Sequence, residues 1–224
     1  MKKKLFDIFK VIGLFLLFFS ISAIPAAIFN IDLTKLNDLN LIIYSFSCNI
    51  IFLITIIACY FKTLKKDFKP FFKNFLKNFE ESFKYYIISL LIMIASNLII
   101  TTTVGGLAEN EEIVRKSIEL APIIMLIEVS IYAPIAEELL FRKSIRDLIK
   151  NKWIYILVSG FIFGGLHVIG CETIVEYLYL IPYCSLGFTF SYIYAKTNNI
   201  YSTITLHAMH NTVTILLYFI GASL

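Results

Sequence analysis

Charge is scarce in this sequence. Only 16% of its 224 residues are Asp, Glu, Lys or Arg, against 58% hydrophobic, and the mean hydropathy is +0.80. A water-soluble domain carries about a quarter charged residues, so this chain needs lipid as part of its solvent. Cysteine is scarce too. Cys48, Cys59, Cys171 and Cys184 form no C-x-x-C pair and lie in or beside apolar runs, which argues for small buried hydrophobes and against a disulfide or metal framework. Internal repeats, low-complexity tracts and a soluble domain are all lacking. The net charge of +4 is small, and no nucleic-acid partner is expected. Lys2, Lys3 and Lys4 precede an apolar run at 11–29, but that run is long for a signal peptide and no A-x-A site follows it. An uncleaved first span is expected.

What is abundant is apolar sequence in membrane-length runs. Seven stretches, near 11–29, 41–61, 85–107, 120–141, 153–169, 174–195 and 200–219, can cross a hydrocarbon core of roughly 30 Å. Between the fifth and sixth stands only a short polar hinge of Gly170, Cys171 and Glu172. Basic flanks (Lys2 to Lys4; Lys62 to Lys84; Arg142 to Lys152) alternate with acidic ones (Asp32 and Asp38; Glu109, Glu111 and Glu112; Glu172). That alternation orients the chain N-in and C-out with an odd number of spans. The expected fold is therefore an all-α, polytopic transmembrane bundle of about seven helices. Residues 1–110 would form the N-terminal spans, and 120–217 a second unit. From 62 to 84, Phe68, Phe71, Phe72, Phe75, Leu76, Phe79 and Phe83 recur at helical spacing among lysines. This segment is expected to lie on the inner membrane surface as an amphipathic helix. Richness in Ile, Lys, Asn and Phe hints at an AT-rich bacterial genome and a multi-pass plasma-membrane protein.

Histidine is rare, with three copies, and all three lie in the last two-fifths of the chain. Glu128, Glu137, Glu138, Arg142, His167, His207 and His210 place ionisable groups in the later apolar runs, while the first three runs hold almost none. Such groups are costly in a membrane and mark function by default. Glu138 and Arg142, four apart, share a helix face and can pair. Glu137 lies about 100° round the helix from Glu138, which leaves it freer to act. Phe163 and His167 are four apart, as are His207 and Asn211. With the fourth helix continued to about Lys150, rises of 1.5 Å per residue bring Glu137, His167 and Asn211 to one depth. A carboxylate beside an imidazole can deprotonate a water between them. An Asn amide and an imidazole N–H can donate to a tetrahedral oxyanion. Glu137, His167 and His207 would also suffice as zinc ligands. Glu128, nine residues before Glu137, falls about 180° away on a regular helix and reads as structural, as does His210. Gly164 and Gly165 would permit close helix approach.

Three motifs appear in order: Glu137-Glu138-x-x-x-Arg142, Phe163-x-x-x-His167 and His207-x-x-x-Asn211, with Pro134 just before the glutamates. In this order and at these intervals they resemble the CPBP family, the CAAX prenyl endopeptidases and bacteriocin-processing proteins also called Abi. The resemblance covers roughly 120–217. It implies intramembrane proteolysis of a peptide or membrane-protein substrate, in which Glu137 and His167 activate water and His207 with Asn211 stabilises the oxyanion. Glu138 and Arg142 would brace the site. The glutamate–water scheme needs no cofactor, although the family has also been called metalloprotease. Bacteriocin processing or immunity is one implied setting. A non-catalytic membrane scaffold or self-immunity protein on the same fold is the alternative.

Overall fold

A computed structural model describes residues 2–105, 108–171 and 173–221, with the side chains of Lys2, Lys3 and Val104 left aside. Leu107 and Glu172, at the end of the third expected span and in the polar hinge, lie outside the described residues. Every regular element among the described residues is helical. Helix α1 (Lys2–Ser20) and α2 (Ala23–Phe29) meet at a bend of 65°. Then come α3 (Asp38–Lys73), α4 (Phe75–Val104) and α5 (Glu109–Leu120). A long helix follows, built from α6 (Pro122–Ile127), α7 (Ala133–Glu137) and α8 (Ile145–Leu148), joined without a break by two π-helical stretches, Glu128–Tyr132 and Glu138–Ser144. The chain ends in α9 (Lys152–Leu166), α10 (Leu180–Thr197) and α11 (Tyr201–Phe219).

By length and composition, α3 and α4 are long and apolar enough to cross a membrane, as is α1 with α2 if the bent pair is one span. The later helices are shorter, broken or more polar. α9, for example, has 15 residues and rises only about 22 Å. The segment expected to lie apart at 62–84 is no separate element. It forms the adjoining ends of α3 and α4, which turn at Asn74. Helix α3 has 36 residues and reaches about 54 Å, longer than a hydrocarbon core of roughly 30 Å. At the adjoining ends Phe68, Phe72, Phe75, Phe79 and Phe83 stack in sequence, with Tyr201 against Phe68 and Phe72. Such rings suit the headgroup level.

Close packing of α9 on α10 sets the floor of the bundle. A Cβ on Gly187 would come within 2.7 Å of the Gly160 carbonyl oxygen, and one on Gly164 within 2.9 Å of the Cys184 nitrogen. Gly165 faces open space, so only the first of the expected glycine pair serves close approach. The start of α11 is held by Asp67 of α3, whose Oδ2 accepts from Ile200 N at 3.1 Å, while Asn199 Nδ2 donates to the Asp67 carbonyl at 2.8 Å. A buried carboxylate thus caps free backbone donors at the N-terminal end of the helix that bears two of the histidines.

Candidate active site

The long helix at 122–148 brings Glu137, Glu138 and Arg142 into the bundle, and Arg142 and Glu138 are both fully buried. Arg142 Nε lies 3.2 Å from Glu138 Oε2, although the two atoms are not aligned as a hydrogen bond. The guanidinium sits 4.4 Å over the Phe163 ring and 5.8 Å from that of Phe190. It also donates to Ser159 Oγ at 3.4 Å. Ser159 in turn donates to the Phe141 carbonyl and accepts from Ser191. One buried cation therefore ties the long helix to α9 and α10.

The other oxygen of Glu138 reaches α11. His207 Nδ1 is 3.0 Å from Glu138 Oε1, and its Nε2 is 3.8 Å from Glu137 Oε2. Adjacent glutamates thus bracket one imidazole, with Phe190 stacked on the same ring at 5.3 Å. His167, at the end of α9, has Nδ1 2.8 Å from the Phe163 carbonyl. Its ring lies between Phe163 (4.7 Å) and Tyr183 of α10 (4.5 Å). Asn211 Nδ2 donates to the Val129 carbonyl at 2.9 Å, leaving its second amide hydrogen free by valence.

Glu137, His167, His207 and Asn211 all line one cavity of about 370 Å³, roofed by Asn110, Glu111, Val114, Arg115 and Ile118 of α5. Glu138 and Arg142 stand behind it in the packed interior. Glu137 makes no ion-pair contact with His167; its closest imidazole is that of His207. Among the described residues no group of three or more His, Cys, Asp or Glu side chains is disposed to share a metal ion.

Two residues differ from expectation. Glu128, placed on the far face by regular helical phase, walls the same cavity as Glu137. The π-helical stretch that begins at Glu128 explains it. A π turn takes up one extra residue, which sets the phase back by roughly 100° and swings Glu128 towards the Glu137 side. His210 also borders the cavity, with Nδ1 2.9 Å from Tyr86 Oη of α4. No sequence signal marks Tyr183, Phe190, Ser159 or Ser191, which meet the motif residues (Ser191 through Ser159) only once α9, α10 and α11 are packed.

Comparison with known proteins places this constellation. Residues 119–213 match the family described as type II CAAX prenyl endopeptidase Rce1-like. The match takes in 95 of the 224 residues, somewhat under half of the chain. All three motifs fall within the matched residues. The chain is 32% identical over 117 residues to a Bacillus subtilis (strain 168) protein named "Putative membrane peptidase YdiL", covering 51% of this chain and 45% of that protein. It is 36% identical over 81 residues to the UPF0177 protein YxdF of Lactococcus lactis subsp. lactis (strain IL1403), covering 36% of this chain and 42% of that one. The matched stretches thus span less than half the length of either relative. No solved structure matches the chain.

Proposed function

We propose that this membrane protein is a CPBP-family intramembrane endopeptidase that hydrolyses a peptide bond with a water activated by Glu137 and His167. The observation that carries the proposal is the shared cavity. The Glu137 carboxylate, the His167 and His207 imidazoles and the Asn211 amide all line it, while Glu138 and Arg142 sit buried behind them.

Hydrogen-bond inventory assigns the parts. If His167 Nδ1–H donates to the Phe163 carbonyl, its Nε2 carries a lone pair. With Glu137 it can hold a water and accept its proton as the oxygen attacks the scissile carbonyl. The proton then passes to the leaving amine. The oxyanion needs donors. Asn211 offers its unused amide hydrogen. His207 holds Glu138 through Nδ1, so its Nε2 serves as a donor when both ring nitrogens carry hydrogen. Both groups act on the charge that develops, not on the ground-state carbonyl. No step in this scheme requires a metal. Substrates would be peptides or membrane-protein segments entering from the lipid or the cytoplasmic side, and bacteriocin processing or immunity is one setting. In this reading the chain crosses a bacterial plasma membrane several times, N-terminus inside.

Purified protein in nanodiscs, incubated with a pool of apolar peptides and analysed by mass spectrometry, tests the proposal. Cleavage products should appear and fall by about 10²–10⁴-fold in Glu137→Gln and His167→Ala. Full cleavage by both variants would overturn it. A cellular phenotype that survives in Glu137→Gln would instead mark a non-catalytic scaffold.

A further inference from the structure

Glu128 has no part in that scheme, yet it walls the same cavity. Asn49 Nδ2 of α3 donates to Glu128 Oε1 at 2.6 Å, and Oε2 is buried with no hydrogen-bond partner. Among the described residues no cation forms an ion pair with it, whereas Glu138 has Arg142. Arg115, the one Lys or Arg on the cavity wall among the described residues, is already held by Glu111 at 2.8 Å and lies over the Tyr218 ring. A neutral amide on one oxygen does not compensate a carboxylate away from water; a counter-charge is needed. Glu128 and Glu137 also feel each other's charge. The cavity therefore holds two carboxylates without a full cationic partner.

The far side of Glu128 adds a second observation. Met125 and Glu128 also bound a separate cavity of about 290 Å³, whose other walls include Leu41, Ile42 and Phe46 of α3 and Ile113 of α5. The partition between an apolar lateral chamber and the proposed catalytic chamber thus carries one under-compensated carboxylate.

We infer that Glu128 is a specificity subsite for a cationic group, a lysine or arginine side chain or the terminal ammonium, borne on an otherwise apolar peptide substrate. The inference rests on the endopeptidase reading for its context, but binding tests it separately. An apolar segment fits the lateral chamber, and its positive group supplies the charge that Glu128 lacks. Asn49 keeps the carboxylate in place and leaves its charge to the substrate.

The probes are fluorescent, N-acetylated Leu/Ala peptides of about 20 residues carrying a single Lys scanned along the chain, their norleucine counterparts, and an unacetylated norleucine peptide. Binding to Glu137→Gln protein in nanodiscs should be at least about tenfold tighter for Lys at one or two positions than for norleucine, since desolvated charge pairs commonly carry that much. The preference should collapse to within about twofold when Glu128→Gln is added, and Asn49→Leu should weaken it. Thermal unfolding checks that each variant is folded. If only the unacetylated peptide gains, the cation is the terminal ammonium, which the inference also covers. Equal binding of Lys and norleucine at every position with no gain for the unacetylated peptide, or a preference that survives Glu128→Gln in folded protein, overturns it. A Glu128-dependent preference with no hydrolysis by wild-type protein would sink the endopeptidase reading while leaving the subsite intact.

Discussion

Replacing Glu138 and Arg142 separately and together distinguishes bracing the fold from orienting the chemistry. Both residues are fully buried and 3.2 Å apart. Arg142→Met leaves Glu138 as an uncompensated buried charge and should cost about 3–5 kcal/mol. Glu138→Leu strands Arg142 in the same way and also frees His207 Nδ1, a further loss of about 1–3 kcal/mol for an unmet buried polar group. Independent effects would sum to roughly 7–13 kcal/mol. The double variant removes the charges as a pair, which is often neutral or better, so only the His207 loss of about 1–3 kcal/mol should remain. It should therefore be more stable than either single variant. Its activity should not recover, because His207 still lacks the carboxylate that fixes its ring, and a loss of about 10²–10⁴-fold is expected. Denaturation in mixed micelles followed by circular dichroism reads the stabilities, and peptide cleavage in nanodiscs reads the activity. A double variant as unstable as Arg142→Met would refute the ion-pair reasoning. One that cleaves at the wild-type rate would refute the orientation of His207 by Glu138.

Other consequences follow from packing and capping. Gly187→Val should destabilise by about 1–3 kcal/mol or more, because its Cβ would meet the Gly160 backbone and not a movable side chain; Gly165→Ala, in open space, should stay within about 0.5 kcal/mol. Thermal unfolding compares them. Asp67→Ala removes the acceptor for Ile200 N and should cost about 0.5–2 kcal/mol, seen as faster hydrogen exchange at the start of α11. Cleavage should persist after dialysis against a strong chelator, with metal content measured by mass spectrometry; activity lost on chelation and restored by zinc alone would reverse the metal-free scheme. Changing all four cysteines to alanine or serine should leave cleavage within about twofold of wild type, since none borders the catalytic cavity.

Helical class, lipid-level hydropathy and the nearness in space of Glu137, Glu138, Arg142, His167, His207 and Asn211 were legible because each rests on local chemistry or fixed helical spacing. Glu138 and Arg142 face the same way at i and i+4 even within a π-helical stretch, since both side chains are long enough to meet. What eluded sequence reasoning depends on phase and on helix ends. A regular 100° step put Glu128 on the wrong face, because nothing in Glu128-Val-Ser-Ile-Tyr132 signals a wide turn. The lysine and phenylalanine pattern at 62–84 is amphipathic whether the helix lies along the membrane or emerges from it. What the pattern does not show is that the segment forms the adjoining ends of α3 and α4, which turn at Asn74. Hydropathy likewise predicted seven runs without showing that those bearing charged groups would be short, bent or interrupted.

Those interruptions serve the site. On a helix, neighbouring side chains diverge by about 100°, so Glu137 and Glu138 would ordinarily address different surroundings. Here the divergence lets two consecutive carboxylates reach opposite nitrogens of His207, at 3.8 and 3.0 Å. One carboxylate remains on the cavity wall and the other lies in the packed interior beside Arg142. Insert one residue between them, and Glu137 would turn a further 100° or so away while Glu138 kept its brace. The doublet is therefore a geometric requirement for bracketing one ring, and the π-helical stretches on either side let the helix hold that ring while turning Glu128 to the same cavity. Separating the two glutamates by an inserted alanine should leave a folded protein that no longer cleaves although it keeps both carboxylates.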